Sequence, residues 1–172
     1  VSVEKNSIVI KCGLFREADT ELSRKMLLVL LETSVTLNRL WINAHPHTPE
    51  IYSSGVRYLE DHKRVWPPSA ATEDFCTIPE IISARVGDCD DLAPWRVADL
   101  RERYGIKCRP WIRWRDYQGI TVYHVLVQYA DDRIEDPSKV LGMGSEGGDV
   151  RSLVPQRSMP VQQASLFQRG RR

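Results

Sequence analysis

Gly87-Asp88-Cys89-Asp90-Asp91 is the stretch from which the rest of the chain is read. The residues that follow it put Ala93, Val97, Leu100 and Tyr104 on one stripe, with Gly105 next, which predicts a helix from Asp91 to Tyr104 capped by a glycine. Pro94 lacks a backbone N–H and suits only a first turn, so the expected helix start is Asp90 or Asp91, with Asp88 or Asp90 as the cap. Cys89 then stands at a helix N-terminus. Free N–H groups and a partial positive charge there favour a thiolate and can serve a developing oxyanion. The charges of Asp88, Asp90 and Asp91 oppose this if they face the sulfur.

Downstream, Ile106 to Arg115 sets Ile106, Cys108, Pro110, Ile112 and Trp114 against Lys107, Arg109, Trp111, Arg113 and Arg115, the alternation of a half-buried strand. Asp116 to Gly119 is a turn, and Ile120 to Ala130 returns as a second strand. Asp131-Asp132-Arg133 turns again, and Ile134-Glu135-Asp136-Pro137 begins a third extended piece. A helix followed by an antiparallel meander is an α+β layout. On the second strand His124 shares a face with Ile120, Val122, Leu126 and Gln128, read here as apolar and turned inward. Taken singly, His124 is a packed core histidine and Asp136 a turn residue before Pro137. Cys89, His124 and Asp136 in that order form a thiol-nucleophile constellation, because a thiol needs a base and the base needs a group to fix its tautomer.

Upstream, Ser7 to Leu14 reads as a short strand and Asp19 or Thr20 as a helix cap. From Glu21 to about Asn43, Leu22, Met26, Val29, Leu30, Thr33, Leu37, Leu40 and Trp41 recur at helical spacing, predicting one long N-terminal helix with that face buried. His45-Pro46-His47-Thr48-Pro49 ends it, and Thr48 with Pro49 predicts a second helix through about Glu60. His45 and His47 have no third ligand nearby and read as exposed loop residues. Trp66 to Asp74 is irregular, and Ile78 to Ala84 is a short helix begun by Pro79.

The chain of 172 residues suits one domain, placed at 1–142, followed by a Gly-rich linker and extended arm over 143–172. Its 24 basic and 23 acidic residues leave a formal charge of +1, so no global field draws nucleic acid or membrane. Cys12, Cys76, Cys89 and Cys108 are widely spaced without C-x-x-C, which suggests neither zinc nor a disulfide framework, no cofactor, and a reducing compartment. The start at Val1 shows no signal-peptide pattern, and the apolar run Met26 to Leu31 falls short of the roughly 20 residues of a membrane span. Residues 150–172, rich in Gln, Ser, Pro and Arg, cannot order alone and are expected to dock on a protein partner or a second copy.

Arg85-Val-Gly-Asp-Cys89-Asp-Asp-Leu-Ala93, Tyr104-Gly-Ile-Lys-Cys-Arg109, Tyr123-His124-Val-Leu-Val127 and Ile134-Glu-Asp136-Pro-Ser together resemble the transglutaminase-like core of the papain-like cysteine enzymes, over about residues 80–140. The resemblance implies that fold, with Cys89 as nucleophile, His124 as base and Asp136 as orienting residue. It also implies acyl transfer from an amide of a peptide or protein, by hydrolysis or transamidation. Asn43 to Gln118 encloses no Gln or Asn, so the glutamine that papain-like proteases place before their cysteine is missing, and Ser83 occupies that neighbourhood. The Cys89 N–H is one oxyanion donor, and Trp66 a second by analogy with animal transglutaminases, against its simpler role as a packing anchor. Arg109, Trp111, Arg113 and Arg115 form a basic outer face, read as solvated or partner-covered rather than as a nucleic-acid site. The Gly-Asp-Cys-Asp-Asp-Leu-Ala and Glu-Asp-Pro-Ser-Lys-Val-Leu-Gly-Met segments are similar to small transglutaminase-like proteins of tailed phages and prophages. That similarity implies an alternative: a virion structural or assembly protein that keeps the fold and binds through its arm. The expected location is cytoplasmic or virion-associated.

Overall fold

The computed structural model describes residues 21–60, 75–117 and 120–144, the side chains of 116, 117, 120 and 121 excepted. The fold is α+β. Helix α1 (Glu21–Ala44) leads to a 3-10 turn (Ile51–Ser53) and strand β1 (Arg57–Tyr58). Helix α2 (Ile78–Ala84), strand β2 (Val86–Gly87) and helix α3 (Cys89–Tyr104) follow. Strands β3 (Cys108–Tyr117), β4 (Ile120–Tyr129) and β5 (Ile134–Glu135) then lead to helix α4 (Pro137–Val140). The last three strands form an antiparallel sheet in the order β3-β4-β5, while β1 and β2 form a separate parallel pair. The expected strand at Ser7 to Leu14, the Asp19 or Thr20 cap, Trp66 to Asp74 and the 150–172 arm lie outside the described residues.

Helix α3 is the centre of the core. Leu92, Ala93, Trp95, Val97 and Ala98 are all inaccessible to solvent, so this helix is buried on several sides rather than along one stripe, and Tyr104, expected on that stripe, is exposed. It starts at Cys89, earlier than Pro94 suggested. Asp88 caps it, and Asp88 and Asp91 complete a reciprocal capping box that holds the first turn despite the interior proline. Gly105, at φ 62°, ends it as expected. Gly87 has a packing role: a Cβ there would lie 3.0 Å from Leu92 Cδ2 and 3.3 Å from Ile81, so only glycine lets β2 come this close to the α3 start.

Much of the expected face of α1 is turned outward, although Trp41 packs on the core. Leu31, Val35, Asn38 and Ile42 point inward with Ser23 and Ser34, while Leu22, Val29, Leu37 and Leu40 are exposed. Apolar residues recur at helical spacing on more than one side of this helix, so periodicity alone did not choose. The inward set includes two serines, and the buried Asn38 Oδ1 accepts the Ile78 N–H at 3.0 Å at the start of α2. A second correction concerns Pro49 to Glu60. Instead of a helix, the chain makes one 3-10 turn, because the Ser54 hydroxyl binds the Ile51 carbonyl at 2.6 Å and Gly55 turns left-handed at φ 77°, after which β1 runs extended. The third extended piece is only two residues long before α4 begins.

The β3–β4 register corrects the placement of His124. Cys108 pairs with Tyr129, Pro110 with Val127, and Ile112 with Val125, and these residues form the face turned to the helices, with Ile112, Val125 and Val127 in the core. His124 is on the other face, with Leu126 buried beside it and Val122 exposed. The sheet buries residues on both sides near Leu126, and this is why alternation alone misassigned the inward face.

Candidate active site

The three candidate residues stand on three different elements. Cys89 is the first residue of α3, partly buried against the core, and it is a thiol rather than a disulfide half, as are Cys76 and Cys108. His124 sits in the middle of β4, and Asp136 caps α4 immediately after β5. The structure brings two of the three together directly: His124 Nε2 lies 3.0 Å from Asp136 Oδ2. The other Asp136 oxygen accepts the Lys139 N–H at 3.2 Å, a helix-cap contact that fixes the carboxylate plane.

Burial pushes the Asp136 carboxyl up, but the hydrogen bond and charge of His124 and the Lys139 contacts outweigh it and hold it below its ordinary value. Asp136 is therefore ionised at neutral pH and can only accept. The proton of the shared hydrogen bond then belongs to Nε2, which leaves His124 Nδ1 as the basic nitrogen.

Strand β1 joins the segment just before Cys89 to the far end of α4. Tyr58 pairs with Gly87 in the parallel ladder, Leu59 donates to the Gly87 carbonyl at 2.9 Å, and the Tyr58 N–H donates to Leu141, at the end of α4, at 3.0 Å. The start of α3 and the C-terminal end of α4 are thus tied to the same short strand. Burial first, and then the acidic groups around the start of α3, push the Tyr58 phenol up, so it keeps its proton at neutral pH. Sequence reasoning missed Tyr58 because it placed Gly55 to Glu60 in a helix. The Gly55 turn signal was the clue that a strand followed.

The acidic residues around Cys89 have separate work. Asp91 is fully buried, its Oδ1 accepting the Cys76 N–H at 2.7 Å and its Oδ2 the Asp88 N–H at 3.4 Å, so it clamps the segment before α2 to the start of α3. Among the described residues, Asp88, Asp90 and Asp91 are the one group of metal-ligating side chains gathered within 4.8 Å. Asp88 and Asp91 are already committed to the capping box. His45 stacks on Trp41 with ring centroids 3.7 Å apart, and both His45 and His47 are exposed, as expected of loop residues. Ser83 is exposed on α2, and Trp66 lies outside the described residues.

On the opposite face of the sheet, Glu135 is the hub of a second network. Arg96 of α3 binds it at 2.7 Å through Nε, and the hydroxyls of Tyr52 and Tyr129 donate to its two oxygens. Burial and then the Glu135 contacts push Tyr129 up to about 12, and Arg96 stays charged because Glu135 offsets the effect of burial. This network pins the short β5, whose backbone ladder to β4 has only the pairs Val127–Glu135 and Gln128–Ile134. Comparison with known proteins found no matching family model, no matching curated protein and no matching solved structure.

Proposed function

We propose that this chain is a cysteine-dependent acyl-transfer enzyme with a transglutaminase-like core, in which Cys89, His124 and Asp136 act together. The observation that carries the reading is the His124–Asp136 pair at 3.0 Å, built across β4 and the α4 cap, which fixes the imidazole tautomer a thiol nucleophile requires. The placement of Cys89 as the first residue of a long buried helix supports it.

In this reading the proton of the Cys89 thiol passes to His124 Nδ1, and the sulfur attacks the carbonyl carbon of an amide. The C–S bond forms as the C–N bond breaks, and His124 returns the proton to the departing amine. Water or a second amine then attacks the thioester, gives its proton to His124, and releases the Cys89 thiolate, while Asp136 stabilises the imidazolium throughout. The Cys89 N–H and the Tyr58 hydroxyl are the donors proposed for the oxyanion.

The test is alkylation of the native full-length protein by iodoacetamide, with labelled sites mapped by mass spectrometry. Cys89 is expected to react fastest at neutral pH, and His124→Ala to remove its advantage. Equal labelling of Cys12, Cys76, Cys89 and Cys108 would sink the reading.

A further inference from the structure

We propose that the face of the sheet bearing His124 takes an acidic peptide segment, with Arg113 and Arg109 meeting its carboxylates. This deepens the acyl-transfer reading and rests on it. The β3–β4 register pairs Arg113 with His124, Arg109 with Gln128, Trp111 with Leu126 and Arg115 with Val122. Cross-strand partners stand with Cβ atoms about 5 Å apart on one face, so the Arg113 guanidinium is within side-chain reach of the imidazole. Those eight positions carry three arginines, a histidine and no carboxylate. Arg109, Arg113 and Arg115 are all exposed.

Guanidinium groups packed against the core are engaged: Arg96 with Glu135, Arg101 with Glu32, and Arg103 with Asp99. Arg109 reaches only the neutral Gln128 Oε1, at 2.9 Å. Arg113 has no ion pair among the described residues. Two carboxylates border this face: Asp136 is held by His124 and the Lys139 N–H, and Asp132 accepts the Gln128 side-chain N–H at 3.1 Å. With a formal charge of only +1 on the whole chain, this is a local concentration of positive charge beside the proposed base.

A carboxylate is the complement of an unpaired guanidinium, which offers a planar fork of donors. Single-stranded nucleic acid would also answer the charge, but it is held by successive aromatic platforms. Trp111 is the one aromatic among the eight positions. The acidic peptide is the better fit.

Two measurements on the full-length protein test this. The first compares Cys89 alkylation by anionic iodoacetate and neutral iodoacetamide. The rate ratio is expected to fall about fivefold in Arg113→Gln, the effect of one removed charge at side-chain distance, and to fall with added salt in the wild type. The second measures fluorescence anisotropy of a labelled Glu- and Asp-rich peptide, a Lys-rich peptide and a single-stranded oligonucleotide. Binding of the acidic peptide alone, lost in Arg113→Gln combined with Arg109→Gln, supports the proposal. An unchanged ratio, or acidic-peptide binding indifferent to both arginines, overturns it, and so does preferential binding of the oligonucleotide. An unreactive Cys89 with arginine-dependent peptide binding intact would instead overturn acyl transfer and leave the acidic-peptide face standing.

Discussion

Glu135 and Asp136 are consecutive residues whose carboxylates serve opposite faces of the sheet: Glu135 meets Arg96, 2.7 Å away on α3, and Asp136 meets His124, 3.0 Å away. Alternation along an extended chain sends the two side chains apart, so holding one fixes the other. The ion pair inside the domain thereby orients the carboxylate at the candidate site.

Breaking that pair should unfold more than it repairs. Arg96 and Glu135 side chains are 15% and 18% exposed, and Arg96→Ala would leave a largely buried carboxylate without its cation. The expected loss is about 3 kcal/mol in urea denaturation. Glu135→Gln, which keeps one accepting oxygen and leaves no buried carboxylate, should cost less. Equal and negligible effects would show that β5 is held by its backbone alone.

Asp136→Asn should preserve the fold at neutral pH but lower the alkylation rate of Cys89, because an amide can present its N–H to the ring and select the wrong tautomer. It should also alter acid stability. The native Asp136 carboxyl lies below its ordinary value, so its contribution is complete above the unfolded pKa of about 3.9 and is lost as pH falls through the lower native value. The loss of stability on acidification into that window should be shallower in Asp136→Asn than in the wild type, as read by thermal melts across pH.

Asp91→Ala should destabilise by about 2 kcal/mol, since it strands the buried Asp88 N–H and the part-buried Cys76 N–H that its carboxylate now satisfies. A variant within experimental error of the wild type would mean that water takes over the clamp.

Cys89 should outrun Cys108 in alkylation by the largest margin of any pair. Cys108 is 8% exposed and burial pushes its thiol up, both against thiolate chemistry. Comparable rates in the folded state would contradict this placement.

The two sides of α1 give a direct contrast. Leu31→Ala should cost about 2 to 4 kcal/mol, as for a fully buried leucine, whereas Leu40→Ala, at a position 60% exposed, should stay within about 0.5 kcal/mol. The reverse ranking would restore the face that periodicity suggested.

Much of the layout follows from local chemistry. Thr77-Ile78-Pro79-Glu80 forms the capping box that starts α2, Gly105 ends α3, and the Asp131 to Arg133 turn joins β4 to β5, each as residue type predicts. Leu22 and Leu31 show where local chemistry stops. Both belong to helical stripes of α1, and only contact with α3 decides that Leu31 is inside.

The order Cys89, His124, Asp136, the helix after the cysteine and the meander after the helix were all present in the amino-acid sequence, because caps, breakers and alternation act over a few residues. The 3.0 Å contact of His124 with Asp136, the pairing of Arg113 with His124 and the seating of Tyr58 beside Gly87 were not. Those depend on strand register and on which face of the sheet the helices cover. Both are set by burying Val125 and Val127 against α3 and by the Arg96–Glu135 pair, contacts between residues far apart in the chain.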